Sequence, residues 1–156
     1  MAMDLELVIR GGTLVTAGET VRADLGIRAG TIAAIGQDLR GQDTIDAHGK
    51  LVLPGAVDAH VHLEMATRAT TSSDDWQTGT VAAACGGTTT LLDFVEPQPG
   101  ETLLEALHAR RARAEGRAVV DYGLHMTLCR ADPATLAQVP AVVEAGLPSF
   151  KTYTTY

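Results

Sequence analysis

His60 and His62 stand two residues apart in the run Leu53-Pro-Gly-Ala-Val-Asp-Ala-His-Val-His-Leu63. On an extended strand that spacing puts both imidazoles on one face, where they converge. The Pro54-Gly55 break and the apolar residues around the pair point to the inside of a packed sheet rather than a solvated loop. Two convergent imidazoles at a strand end make half of a metal site. The same spacing also arises by chance, and two packed polar residues are the alternative reading. Lys151, flanked by Phe150 and Tyr153, stands at the C-terminal end of another apolar run. Burial and nearby cations disfavour an ammonium, so such a lysine is expected to have a lowered pKa. A neutral amine can add carbon dioxide, giving a carbamate whose two oxygens can bridge two metal ions. The alternative is a lysine whose stem is buried while its head reaches solvent.

The elements that must position these residues fall into two patterns. Before Pro54, apolar and polar residues alternate from Leu5 to Arg10 and from Val21 to Arg28, with Gly11-Gly12 and Ala29-Gly30 ending the runs. Further apolar pieces cover 31–35, 44–47 and 50–53. Period-2 alternation broken by glycine reads as half-buried antiparallel strands. After Pro54, strand-like runs at 56–61, 88–95, 119–128 and 147–153 alternate with three helical segments. The first is capped within Ser72-Ser73-Asp74-Asp75 and stopped by Gly86-Gly87. The second covers Glu101 to Glu115, with Arg110, Arg111 and Arg113 in its later turns. The third opens on Asp132-Pro133 and closes at Gly146. Strand and helix repeat about every 30 residues, as in βαβ units with parallel strands.

This organisation gives an α/β protein. Residues 1–53 are expected to form a segment of short strands, which the family resemblance given below implies is a β-sandwich segment, and residues 54–156 are expected to form the first four strands of a TIM-like (β/α)8 barrel. No G-x-G-x-x-G or phosphate-cradling loop follows a strand, which disfavours a nucleotide-binding sheet. Gathering chemistry at successive strand C-termini favours the barrel. A closed barrel needs eight strands, so the chain is expected to be the N-terminal part of a longer enzyme and inactive alone.

Composition narrows the partners. The chain has 156 residues, 46% of them hydrophobic and 20% charged, with a formal net charge of -7. This acidity argues against nucleic acid or an anionic membrane as partner. Cys85 and Cys129 sit in apolar runs without metal-knuckle spacing and are expected to be reduced core thiols of a cytoplasmic protein. No secretory signal or membrane-length apolar run is present.

Residues 49–62, ending in the His-x-His pair, resemble the first barrel strand of the cyclic amidohydrolases. These comprise dihydropyrimidinase, D-hydantoinase, allantoinase and dihydroorotase. The run from Asp75 to Phe94, the segment Asp121-Tyr-Gly-Leu-His125 and the segment Phe150-Lys-Thr-Tyr-Thr-Thr-Tyr156 resemble the D-hydantoinase/dihydropyrimidinase branch. The resemblance implies metal-dependent hydrolysis of the cyclic amide of hydantoins or dihydropyrimidines to N-carbamoyl amino acids. It implies two divalent ions, zinc by preference, held by His60 and His62 and bridged by Lys151, carboxylated to a carbamate, and a hydroxide. Tyr156, five residues beyond Lys151, matches the phenol that hydrogen-bonds the developing oxyanion. The remaining two histidines and the aspartate that acts as general base belong to later strands. Partners are then a small cyclic amide and, in the full-length enzyme, a homotetramer.

Other positions receive lesser roles. Dihydroorotases typically carry an arginine two residues after the second histidine, where this chain has Glu64, whose charge would repel the substrate carboxylate. Glu64-Met65 fits the hydantoinases, although Ala66-Thr67 replaces their usual proline and aromatic residues. Asp58 shares a face with His60 and is either an imidazole partner or a structural acceptor. Asp93 reads as a loop anchor, His48 as a turn residue, His108 as solvent-facing and His125 as a satisfied core histidine. Two other readings are an allantoinase-type ureide hydrolase and a metal-free scaffold of the collapsin response mediator type.

Overall fold

A computed structural model describes residues 4–66 and 70–154, and the chain divides into two compact units, Met1–Pro54 and Gly55–Tyr156. In the first unit, β1 (Leu5–Val15), β2 (Thr20–Arg28), β3 (Thr31–Gly36), β4 (Gly41–Asp46) and β5 (Leu51–Val52) form one sheet. The order is β3-β2-β1-β4, and β5 also pairs with β1. β1–β2 and β2–β3 are antiparallel, as alternation suggested, but β4 and β5 run parallel to β1. Side-chain alternation reports which face is buried and is the same in either strand direction.

Gly11-Gly12 do not end the first run. β1 passes through them with a register shift between Ile9 and Gly12. Gly11 takes φ +71° and donates its N–H to Asp24 Oδ1 at 2.8 Å. Glycine meets the left-handed requirement of such a bulge at little cost. Leu14, Ala23 and Leu25 form the buried centre of this unit.

The second unit alternates strand and helix. Its elements are β6 (Ala56–Asp58), α1 (Trp76–Cys85), β7 (Thr88–Val95), α2 (Leu103–Ala114), β8 (Asp121–Leu128), α3 (Pro133–Leu136), α4 (Val139–Glu144) and β9 (Phe150–Thr152). The four strands pair in the order β6-β7-β8-β9, all parallel. Leu91, Val95, Leu124 and Met126 share one core with Trp76, Leu103, Leu107 and Val142 of the helices. Alternation along the strands leaves Phe94, His125, Thr127 and Lys151 for the opposite face.

Local chemistry explains the helix boundaries. Asp75 caps α1 by accepting the Thr78 N–H at 2.7 Å, and Thr78 Oγ1 accepts the Asp75 N–H at 3.0 Å. Thr102 and Glu105 make the same reciprocal box at α2. The third helix, expected to be continuous from Asp132 to Gly146, is two short helices. Pro140 is the reason: it has no N–H to donate back to the preceding turn, and its ring clashes with the carbonyl there. Cys85 and Cys129 are exposed and free, not core thiols. Ala82-Ala83-Ala84 raised local hydropathy before Cys85 without placing its thiol beneath the surface, and Cys129 lies just past the end of β8, beside Arg130. Among the described residues, no helix is long and apolar enough to cross a membrane.

Hydrogen bonds from the Thr78 N–H and hydroxyl hold the Asp75 carboxyl below its ordinary 3.8, and those from the Thr135 N–H and hydroxyl do the same for Asp132. A depressed folded pKa contributes stability that is present above the unfolded value and lost as pH falls through the folded one. Urea unfolding should therefore shift to lower midpoint below about pH 4. Asp75→Asn, which keeps the acceptor oxygen but cannot titrate, should show a smaller shift between pH 7 and pH 3.

Candidate metal centre

β6 ends at Asp58, but the chain stays against β7, since Val61 N–H bonds to the Leu92 carbonyl at 3.1 Å. This extended stretch presents His60 and His62 to one side. Asp58 Oδ1 accepts the backbone N–H of His60 at 3.1 Å, so its carboxylate braces the chain rather than the imidazole. The two Nε2 atoms stand 3.2 Å apart, and the rings meet edge to face. Nitrogen ligands about 2.0–2.1 Å from a tetrahedral zinc are separated by about 3.3 Å. The imidazole pair thus has the separation that one shared cation requires.

Phe94 forms the floor beneath the cluster. Its ring centroid lies 4.7 Å from that of His60, 4.8 Å from His62 and 5.2 Å from His125. Lys151 Nζ sits 4.1 Å above the same ring and 4.9 Å from the ring of Tyr153. Two histidines from the end of the first parallel strand and a lysine from the fourth therefore gather on one aromatic side chain of the second. His125 is satisfied by Ser149 Oγ at 2.7 Å. Thr127, the register partner of Lys151, is fully buried, and its Oγ1 has no hydrogen-bond partner among the described residues.

The electrostatics suit a cation ligand at His62. Burial lowers its pKa, and the positive charges of Lys151 and His60 lower it further. A neutral imidazole keeps a lone pair free for coordination. Among the described residues, no three His, Cys, Asp or Glu side chains gather as a metal-ligand set. The donors present are two imidazoles and an amine, and the amine can join them only after losing its positive charge. Tyr156 and Thr67 lie outside the described residues.

Beyond His62 the loop is tied down by charges. Glu64 takes φ +46°, donates its N–H to the Asp74 carbonyl at 2.8 Å, and pairs with Arg117 at 2.8 Å and Arg113 at 3.7 Å. Its charge is thus answered within the fold, which weakens the repulsion expected of it. Asp93 anchors the loop: Oδ1 accepts the Leu63 N–H at 3.4 Å, and Oδ2 accepts from Arg110 Nε at 2.9 Å. Burial pushes the Asp93 carboxyl up, opposed by Arg110 and the N–H donors around it. A cleft of about 350 Å³ opens beside His62, lined among others by Glu64, Met65, Phe94 and Arg113.

Two residues of this centre escaped sequence reasoning. Phe94 read as one more apolar strand residue, although its place after an inward-facing Asp93 put it on the opposite face. Arg110 read as a late-turn helix cation. The signal for it was Asp93 itself, because a carboxylate inside an apolar run needs a cationic partner.

Residues 51–144 match the sequence profile of the Amidohydrolase family. The chain belongs to the amidohydrolase family. Among other amidohydrolases, it is 43% identical over 152 residues to a D-hydantoinase of Geobacillus stearothermophilus, covering 96% of this chain and 32% of that protein. It is 41% identical over 161 residues to a D-hydantoinase of Streptomyces coelicolor, covering 99% and 34%. The solved dihydropyrimidinase of Brevibacillus agri superposes with a TM-score of 0.90 at 41% identity, over 96% of this chain and 33% of that one. The chain spans about a third of the length of the curated relatives it matches.

In the metal-free protein, NMR titration of the imidazole carbons should place the His62 midpoint below the ordinary 6.5. A midpoint at or above that value would contradict the sheltered, cation-flanked environment described.

Proposed function

We propose that this chain supplies the first four strands of a TIM-like (β/α)8 barrel and the His60–His62–Lys151 part of its reactive centre. The working enzyme, a longer polypeptide that includes this chain, hydrolyses the cyclic amide of hydantoins or dihydropyrimidines to N-carbamoyl amino acids. One observation carries this reading: the paired imidazoles of His60 and His62 and the Lys151 Nζ all pack against the one ring of Phe94. Relatives named D-hydantoinase and dihydropyrimidinase, similar along nearly the whole chain, support the substrate class.

His60 and His62 would each offer Nε2 to a divalent ion, zinc by preference of the ligand chemistry. Lys151 would join as its carbamate. The ammonium first loses one proton; the neutral amine then attacks carbon dioxide, a C–N bond forms as one C–O π bond opens, a second proton leaves, and a cation that repelled metal has become an anion with two oxygens. A pair of divalent ions bound there supplies Lewis acidity and a water acidic enough to be deprotonated near neutral pH.

Phe94 packs beneath the centre, and burial favours the neutral form of His62. The adjoining cleft is at the small end of the usual range for ligand sites. That size suits a five- or six-membered ring with a short substituent. Tyr156 is assigned the phenolic donor that meets negative charge on the substrate oxygen. The first unit is assigned to a β-sandwich, in which a second layer would cover Ile32 and Ile35, both exposed here. The same reading makes the whole enzyme a cytoplasmic homotetramer.

Lys151→Ala tests the assignment in the complete enzyme. It should abolish hydantoin hydrolysis and reduce bound zinc together, measured by turnover and by metal analysis. Retained turnover would refute the bridging role. A wild-type enzyme that purifies without stoichiometric zinc would instead favour a non-catalytic scaffold.

A further inference from the structure

The peptide joining His62 to Leu63 is held from both sides. Its N–H, that of Leu63, donates to Asp93 Oδ1 at 3.4 Å, and its carbonyl, that of His62, accepts from Ser72 Oγ at 3.4 Å. The next carbonyl, that of Leu63, accepts from Arg110 Nη2. Arg110 also donates Nε and Nη2 to Asp93 Oδ2 and lies over the Trp76 ring at 5.1 Å. The Leu63 side chain is seated against α1 at Gly79, where an added Cβ would come within 2.4 Å of Leu63 Cδ2. One guanidinium therefore joins α2, β7 and α1 to the residue that follows the second histidine.

This arrangement exceeds what stability alone calls for. The side chains of Arg110 and Asp93 are 12% and 1% exposed, and a buried ion pair is often matched or bettered in stability by apolar residues of the same volume. An apolar pair could not hold the Leu63 N–H and carbonyl. Residues 59–65 lie outside any regular ladder apart from the single Val61 bond to β7, so the direction of the His62 side chain depends on how its peptide planes are fixed. The planar fork of arginine reaches the carboxylate and the carbonyl together, which a lysine ammonium at the same position does less well.

We propose that Arg110 and Asp93 are positioning residues for His62. By clamping both peptides of Leu63, they hold the second imidazole in the orientation that brings its Nε2 to that of His60. This rests on reading His60 and His62 as metal ligands, and the test separates the two ideas.

The test uses the complete enzyme of the proposed function, prepared without metal. Imidazole ¹⁵N relaxation measures the order of the His62 ring, and the visible spectrum on adding Co²⁺ alone measures affinity. Arg110→Lys and Asp93→Asn should loosen the His62 ring and weaken Co²⁺ binding by about tenfold or more, the usual result of losing an outer support of a ligand. Val142→Ala, which opens the same core away from the clamp, should lower the urea midpoint while leaving ring order and affinity unchanged. Rescue points the same way if Arg110→Lys retains more ring order than Arg110→Met. An unchanged His62 ring in the clamp variants, or an equal loss in Val142→Ala, overturns the proposal. If the wild-type chain takes up no Co²⁺ at His60 and His62, the metal-site reading fails, and ring order alone then decides the clamp. Should Arg110→Lys fail to fold, Asp93→Asn, which conserves volume, gives the deciding result.

Discussion

Asp93 carries a carboxylate at the end of an apolar strand with 1% of its side chain exposed, a position that costs several kcal/mol for an unpartnered charge. Arg110 meets that demand from α2, and in doing so it must cross the top of the helical core. Its guanidinium lies over Trp76, itself fully buried, so the helices cannot shift without disturbing the pair. The loop that bears the histidines closes over this joint. Core packing, helix placement and loop conformation in the second unit thus converge on one ion pair.

The adjoining residue shows how a strand divides labour. Asp93 and Phe94 are neighbours in β7 and point to opposite faces. One face of the sheet packs Leu91 and Val95 against helices, and its polar exception fixes the loop. The other presents Phe94 as a platform for His60, His62 and Lys151. A shift of one residue in the register of β7 would exchange the two roles and dismantle both.

Much of this was legible in the residues. The run Thr88–Val95 was delimited correctly because its apolar stretch lies between a glycine pair and a proline. The caps at Asp75 and Asp132 were visible from their oxygen-bearing side chains. The His60–His62 convergence followed from strand periodicity, and the approach of Lys151 followed from its position at a strand end together with the family resemblance. Strand direction in the first unit was not legible, since alternation is blind to it. The split at Pro140 was available in principle, but the flanking cap and stop signals outweighed one interior proline. Arg110 was hidden because pairing between α2 and β7 is set by tertiary packing, and no local pattern encodes it.

Glu64 occupies left-handed backbone, which a non-glycine residue adopts at a cost of about 1–2 kcal/mol. Glycine or asparagine would sit there more easily, yet neither could answer Arg113 and Arg117. Substitution at this site therefore trades conformational ease against charge balance. The turn beside the second histidine has little room to drift in sequence without either relaxing its bend or freeing Arg113 at the wall of the adjoining cleft and leaving Arg117 to Asp75 alone.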